Sequence, residues 1–328
     1  MDTNLIPWIQ INLFLQSLGE GLVGIMEFFS FLGTEEFYLI VAPAILWCFN
    51  SDLGLRLGLM LMTSGSINSI LKLAFHAPRP YWVDREVVGY AAETSFGVPS
   101  GHAQNAVVVW GGIAAWINKT WAWIAALLII FFISFSRMYL GVHFAFDVLV
   151  GWLVGGLLLW AWLKYETRFL ARFIQAPVTN QILLALIFSL SLILVGALIR
   201  LALINWTIPP LWLELSARAN VDEPIAPLAL SGLISTAAAF FGLALGGILL
   251  HRQGGLDAGG PVLLRLLRYI VGLVGVLVLW FGLGLIFPRG EQILPYLLRY
   301  VRYSLIGLWI RGMAPMIFIR LNLARRSK

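Results

Sequence analysis

Three short stretches of this chain carry residue types that can bind and cleave a phosphate ester. One, Ser136 to Asp147 (SRMYLGVHFAFD), is a polar and charged run inside apolar sequence. Five residues separate Arg137 from His143, and Asp147 follows His143 by four, one helical turn. If helix resumes at His143, Asp147 lies on the same face and can hold the imidazole by a hydrogen bond. A second, KLAFHAPRP, sets Lys72 and Arg79 on either side of six residues, with Pro80 next. The residue before a proline is biased to extended backbone, so Arg79 ends the helix and points its guanidinium into the loop. The third, Pro99-Ser100-Gly101-His102, directly precedes an apolar helix. Ser100 is a good N-cap, Gly101 lets backbone approach an anion closely, and a helix N-terminus attracts negative charge.

Together these stretches supply three cations, a helix-end amide cluster, two histidines and a carboxylate. A phosphoryl group carries up to two negative charges and several acceptor oxygens, which Lys72, Arg79 and Arg137 match in charge and geometry. They also stabilise the charge of the transition state. A neutral imidazole attacks phosphorus when a carboxylate holds its other nitrogen, the role that suits His143 with Asp147. His102 is placed to protonate the leaving alcohol and then to activate water. The alternative for Arg137, His143 and Asp147 is an ion cluster closing a helix end, and for Lys72 it is snorkelling toward headgroups. His76, Tyr81 and Trp82 are candidate substrate contacts. Their competing readings are a supporting or interfacial role for His76 and membrane-interface anchoring for Trp82, as for Trp8, Trp121, Trp206 and Trp212.

The elements that must position these groups follow from composition. The chain has 328 residues, 60% of them hydrophobic and 12% charged, with a mean hydropathy of +0.88. That excludes a soluble globular protein and predicts an all-α, polytopic transmembrane helical bundle. The net charge of +6 comes from basic residues at the ends of apolar segments, so no nucleic-acid partner is expected. The single cysteine, Cys48, reads as packing. No basic residue precedes Arg56, so the N-terminus lacks the basic start of a secretory signal and is expected to remain.

In order, Leu5 to Leu32 is interrupted by Gln10, Asn12, Gln16 and Glu20 and reads as an amphipathic helix that lies at the interface or crosses. Apolar segments follow at Glu36 to Phe49, Leu53 to Phe75, His102 to Ile117, Trp121 to Phe135 and Phe144 to Leu163. Pro78 and Pro80 stop the second of these, opening a polar loop with Asp84, Arg85, Glu86 and Glu93. Beyond a basic connector (Lys164, Arg168, Arg172) come Gln181 to Leu203, Ile225 to Leu250, Leu263 to Phe287 and a mixed segment, Tyr296 to Leu321, carrying Arg299, Arg302 and Arg311. Alternation of spans puts Lys72, Arg79, His102 and Arg137 at one face. Arg56, Lys119, Lys164, Arg168, Arg172, Arg252, Arg265, Arg268, Arg320, Arg325, Arg326 and Lys328 gather at the other, so the site is expected to look away from the cytoplasm and the C-terminus to be cytoplasmic.

The order K-x6-R-P, P-S-G-H, S-R-x5-H-x3-D resembles the type 2 phosphatidic acid phosphatase (PAP2) superfamily, which also contains vanadium haloperoxidases. The resemblance runs from about Glu36 to Leu163. It implies that Lys72, Arg79, Ser100, Gly101 and Arg137 bind phosphate, that His102 is the general acid, and that His143 is the nucleophile oriented by Asp147. No metal or other cofactor is implied. The expected division is an N-terminal helix (1–35), a PAP2-type catalytic core (36–173) and additional C-terminal transmembrane helices (174–328). Extra helices after Pro177 make the layout loosely similar to the glucose-6-phosphatase and sphingosine-1-phosphate phosphatase branches. A lipid entry portal, a homo-oligomer interface or a larger bundle are the roles open to them. The expected partners are membrane lipids, among them a phosphorylated lipid substrate. The competing functions are a sugar-phosphate phosphatase, a phosphotransferase with an alcohol acceptor, a non-enzymatic lipid transporter and, most remotely, a haloperoxidase.

Overall fold

The computed structural model describes residues 5–219 and 224–327, and their regular structure is helical throughout. Among the described residues, six helical stretches are long and apolar enough to cross a membrane: Ser51–Val83, Thr120–Tyr139, Ala145–Gln175, Val178–Ala202, Ser231–Arg252 and Val262–Ile286. A bent pair, Ile6–Gln16 with Glu20–Phe31, makes a seventh if it is counted as one span. The chain forms two compact units.

The first unit takes the described residues of 1–37, 67–160 and 196–229. It contains α1 (Ile6–Gln16), α2 (Val23–Phe31), the C-terminal end of α4 (Ser51–Phe75), α5 (Pro80–Val83), α6 (Gly101–Ile117), α7 (Thr120–Tyr139), the first half of α8 (Ala145–Gln175) and α10 (Pro210–Ala219). Helices α6 and α7 form an antiparallel hairpin. Its turn places Asn118 at φ 52°, a left-handed conformation asparagine tolerates better than other residues with a side chain. Small residues let the pair close: Ala106, Ala114, Ala122 and Ala126 pack with Ile130 and Ile133. Helix α8 lies against the start of α6 at Gly151, where a Cβ would meet the Ser100 carbonyl oxygen at 2.8 Å. That close approach carries the N-terminus of α8 to the N-cap of α6.

Several boundaries differ from the hydropathy reading. The expected single N-terminal helix is two helices at 82° to one another. Helix α7 continues to Tyr139, so Arg137 is a helical residue, and α8 begins at Ala145 instead of His143. The basic connector is simply the last turns of α8, because nothing breaks the helix before Pro177. The segment expected from Ile225 starts at Ser231, past Pro227. Helix α10 falls between two of the expected apolar segments, in residues the hydropathy reading leaves unassigned.

The second unit, the described residues of 38–66, 161–195 and 230–328, contains α3 (Glu35–Ala44) from Tyr38, α9 (Val178–Ala202) to Val195, α11 (Ser231–Arg252), α12 (Val262–Leu277), α13 (Leu283–Ile286), α14 (Ile293–Leu308) and α15 (Ala314–Arg320). Its core gathers Leu46, Trp47, Cys48, Leu250, Val276, Ile310 and Phe318, so Cys48 packs as expected. The arginines of the mixed segment turn inward: Arg299 donates to Ser235 Oγ at 2.8 Å, and Arg311 bonds Ser51 and Asp52. Buried guanidiniums in apolar helices need such partners.

Candidate active site

The site lies within the first unit, where the ends of α4, α6, α7 and α8 meet. Helix α7 stops at Tyr139 and a five-residue turn leads to α8. Gly141 sits at φ 75°, and a Cβ there would meet the Val88 carbonyl oxygen at 2.3 Å, so only glycine allows the turn to pass beneath the 88–90 strand of loop. His143 closes this turn and is 1% exposed. Its Nδ1 lies 3.1 Å from Asp147 Oδ2, which also accepts the Phe144 amide at 3.0 Å. The expected His143–Asp147 contact is therefore present although helix has not yet resumed at His143: Asp147 caps the first turn of α8 and orients the imidazole with the same oxygen. With Nδ1–H donating to Asp147, Nε2 is the acceptor that faces Arg79 Nη1 at 3.2 Å.

Arg79 is fully buried and heavily tethered. Its Nε donates to the Ser95 carbonyl at 2.7 Å, Nη1 to the Val142 carbonyl at 2.9 Å, and Nη2 to the Phe96 carbonyl and Ser95 Oγ, both at 3.1 Å. Lys72 Nζ meets the same loop, at 2.7 Å from the Phe96 carbonyl and 3.1 Å from Ser95 Oγ. Arg137, 3% exposed, donates from Nη1 to Ser30 Oγ at 2.5 Å. Ser100 caps α6 by accepting from the Ala103 amide at 3.5 Å, while its own amide donates to the Asp147 carbonyl at 2.9 Å. Gly101 faces Asn68, whose amide bridges the Pro99 carbonyl and Gln104 Oε1. His102 Nε2 is buried without a hydrogen-bond partner. A cavity of about 280 Å³ opens onto His102 and Arg137, with Glu27, Ser30, Thr34 and Glu93 in its wall.

The structure thus brings Lys72, Arg79, Ser100, Gly101, His102, Arg137, His143 and Asp147 into one cluster. The three candidate contacts take other places. Tyr81 and Trp82 are buried behind Arg79, Trp82 under its guanidinium at 5.9 Å and Tyr81 with its hydroxyl between the amide and carbonyl of Glu93, each 3.0 Å away. His76, at φ 37°, packs between the rings of Phe96 and Trp206 and bonds the Ala74 carbonyl.

Three polar residues gain importance that the motifs did not suggest. Glu93, read as one charge of a polar loop, places Oε2 3.4 Å from Arg79 Nη2 and Oε1 in a short bond with Arg137 Nη2. Burial pushes its carboxyl up, but Arg79, Arg137, His102 and Lys72 outweigh burial and hold it well below the usual carboxylate range. Asn12 and Gln16 of α1 clamp the turn between α7 and α8. Asn12 Nδ2 donates to the carbonyls of Met138 (2.8 Å) and His143 (3.1 Å), and Gln16 Nε2 to those of Val88 (2.7 Å) and Tyr139 (3.0 Å). The signal was there: two amides one helical turn apart in an apolar helix. For His143 itself, burial and then the charges of Arg79, Lys72 and Arg137 hold the imidazole well below its ordinary pKa. Among the described residues, no three His, Cys, Asp or Glu side chains are grouped to hold a metal ion.

Comparison with known proteins places this cluster in a family. Residues 53–171 match the model of the PAP2 superfamily, and residues 234–326 that of the PAP2 superfamily phosphatase, transmembrane extension. Undecaprenyl-diphosphatase of Sulfolobus acidocaldarius is 27% identical over 135 residues, covering 40% of this chain and 65% of that protein, so the chain spans less than two thirds of its length. The crystal structure of a transmembrane PAP2 type phosphatidylglycerolphosphate phosphatase from Bacillus subtilis aligns with a TM-score of 0.45 at 26% identity, over 51% of this chain and 88% of that one. Phosphatidylglycerophosphatase B of Bacillus subtilis is 32% identical over 157 residues, covering 43% of this chain and 71% of that protein. With all three motifs inside the matched region, the chain belongs to the PAP2 superfamily.

Proposed function

We propose that this chain is an integral-membrane phosphatase that hydrolyses a phosphate monoester or pyrophosphate of a lipid, through a phosphohistidine at His143 and without a metal ion. The observation that carries the reading is the His143 imidazole held between Asp147 and Arg79, with Lys72 on the loop that holds Arg79 and with His102 and Arg137 lining the adjacent cavity. Lys72, Arg79 and Arg137, with Ser100 and Gly101 at the start of α6, bind the phosphoryl group. The lone pair of His143 Nε2 forms a bond to phosphorus as the ester oxygen leaves with a proton from His102, and Asp147 stabilises the resulting imidazolium. Water, deprotonated by His102, then breaks the phosphorus–nitrogen bond and releases inorganic phosphate.

Two relatives are named for undecaprenyl diphosphate and phosphatidylglycerophosphate, both long-chain lipids, which supports an amphiphilic substrate. The cavity's volume is at the low end of ligand pockets, roughly 300 Å³, room for a phosphate headgroup. Charge asymmetry supports a site on the non-cytoplasmic face. Purified protein should release phosphate from phosphatidic acid or another lipid phosphate in the presence of a chelator, with inhibition by vanadate. Full activity in a His143→Ala variant would overturn the nucleophile. A higher kcat/KM for glucose 6-phosphate than for any lipid phosphate would favour the sugar-phosphate reading instead.

A further inference from the structure

Arg79 and Arg137 are the two guanidiniums assigned to phosphate, and each already holds an oxygen of Glu93. A carboxylate offers a guanidinium the same pair of anionic oxygens that a phosphoryl group offers. The anion site is therefore filled from within the chain.

The arginines do not need Glu93 to hold their places. Arg79 is fixed by the carbonyls of Ser95, Phe96 and Val142, and Arg137 by Ser30. Glu93 differs from both in its access: its side chain is 25% exposed, against 0% and 3% for the arginines, and it forms part of the cavity wall. Its backbone is pinned by the Tyr81 hydroxyl, so rotation about its own side-chain bonds suffices to swing the carboxylate into the cavity. Two buried guanidiniums without a counter-ion are costly, and the carboxylate offsets that cost while no substrate is bound. A phosphate dianion and the Glu93 carboxylate at the same two guanidiniums would repel at close range.

We propose that Glu93 is an internal competitor for the phosphate site: its carboxylate neutralises Arg79 and Arg137 in the empty site, is displaced by the incoming phosphoryl group, and returns to expel inorganic phosphate. This rests on the phosphatase reading above. Glu93 sets how tightly the site holds any anion and keeps the product from blocking it.

The test uses the full chain in detergent, with orthophosphate and vanadate as probes. Equilibrium dialysis should show orthophosphate bound about tenfold or more tightly by Glu93→Gln than by the wild type, since a charged competitor for two guanidiniums has been removed. Glu93→Asp, which keeps the charge but shortens its reach, should fall between them. Inhibition of lipid phosphate hydrolysis by orthophosphate should sharpen in the same order. Binding in Glu93→Gln no tighter than in the wild type would overturn the proposal and make Glu93 a positioning residue. Infrared difference spectra of the wild type give an answer independent of how the variants fold: saturating vanadate should shift a glutamate carboxylate band as Glu93 leaves the two guanidiniums, and an unchanged carboxylate region would also overturn it. A wild type that binds orthophosphate but hydrolyses no phosphate ester would refute the phosphatase reading while leaving this competition measurable. Active enzyme with unchanged affinity in both variants would refute the competition alone.

Discussion

The nucleophile proposed here, His143, would attack phosphorus only as a neutral imidazole, and its surroundings favour that form. Arg79, Lys72 and Arg137 face it, His102 adds to the positive field, and Asp147 is the opposing charge. Burial and the cations lower its pKa, so protonation requires a lower pH than for a free histidine, whose midpoint is near about 6.5. The expected outcome is a kcat/KM profile with no enzyme ionisation at or above that pH on the acid side. What remains there is the second ionisation of the substrate phosphate, near about 6. An acid limb moving upward past 6.5 would contradict a depressed His143. Asp147→Asn tests the orienting bond. It keeps the volume but replaces an oxygen that accepts from both His143 Nδ1 and the Phe144 amide, and removes the charge that stabilises the imidazolium. kcat should fall by about two to four orders of magnitude with KM little changed, as expected for an interaction that matters mainly in the transition state.

At the scale of elements, α1 is a brace for the turn that carries His143. Asn12 is fully buried, and replacing it with leucine removes the side-chain donor to the His143 carbonyl and one donor to the Met138 carbonyl, which keeps the Gly141 amide. Unsatisfied buried groups cost about 1 to 3 kcal/mol each, so Asn12→Leu should lower the melting temperature in detergent. It should also lower kcat by roughly tenfold, because the turn that aims His143 loosens, with a smaller change in KM. A Glu20→Gln control, on an exposed residue at the same end of the chain, should change neither. This brace shows where sequence reading ends. The three motifs were legible because each is a local run whose chemistry is complete in its spacing, and hydropathy periodicity places each at a helix end. Asn12 reaches across 131 residues to His143, and Glu93 across 44 to Arg137. Periodicity reports only the face of a residue's own helix. Asn12 and Gln16 therefore read as the wet side of an interfacial helix when they face the turn that carries His143, and Glu93 reads as loop solvation when it faces two arginines. Helix lengths were misjudged for a related reason: charged residues at 164, 168 and 172 lowered the hydropathy without breaking the helix.

For the molecule as a whole, the separation of charge along the α6–α7 hairpin and α8 makes orientation testable. Arg79, Glu93, His102 and Arg137 gather at one end of these helices, while Lys119 sits in the turn at the far end and Lys164, Arg168 and Arg172 on the last turns of α8. Basic residues are retained on the cytoplasmic side, so the far end is expected there and the site on the opposite face. The chain contains a single cysteine, Cys48, and it is buried, which gives a quiet background for labelling. Ala92→Cys introduces a thiol at an exposed position beside Glu93, and Lys119→Cys one at the exposed hairpin turn. In intact cells a membrane-impermeant maleimide should label Ala92→Cys and spare Lys119→Cys, which should react only after permeabilisation. Vanadate should slow labelling of Ala92→Cys, since it occupies the cavity that Ala92 borders. The reverse pattern of labelling would place the site on the cytoplasmic leaflet, and the lipid phosphate it meets would then be one presented from inside.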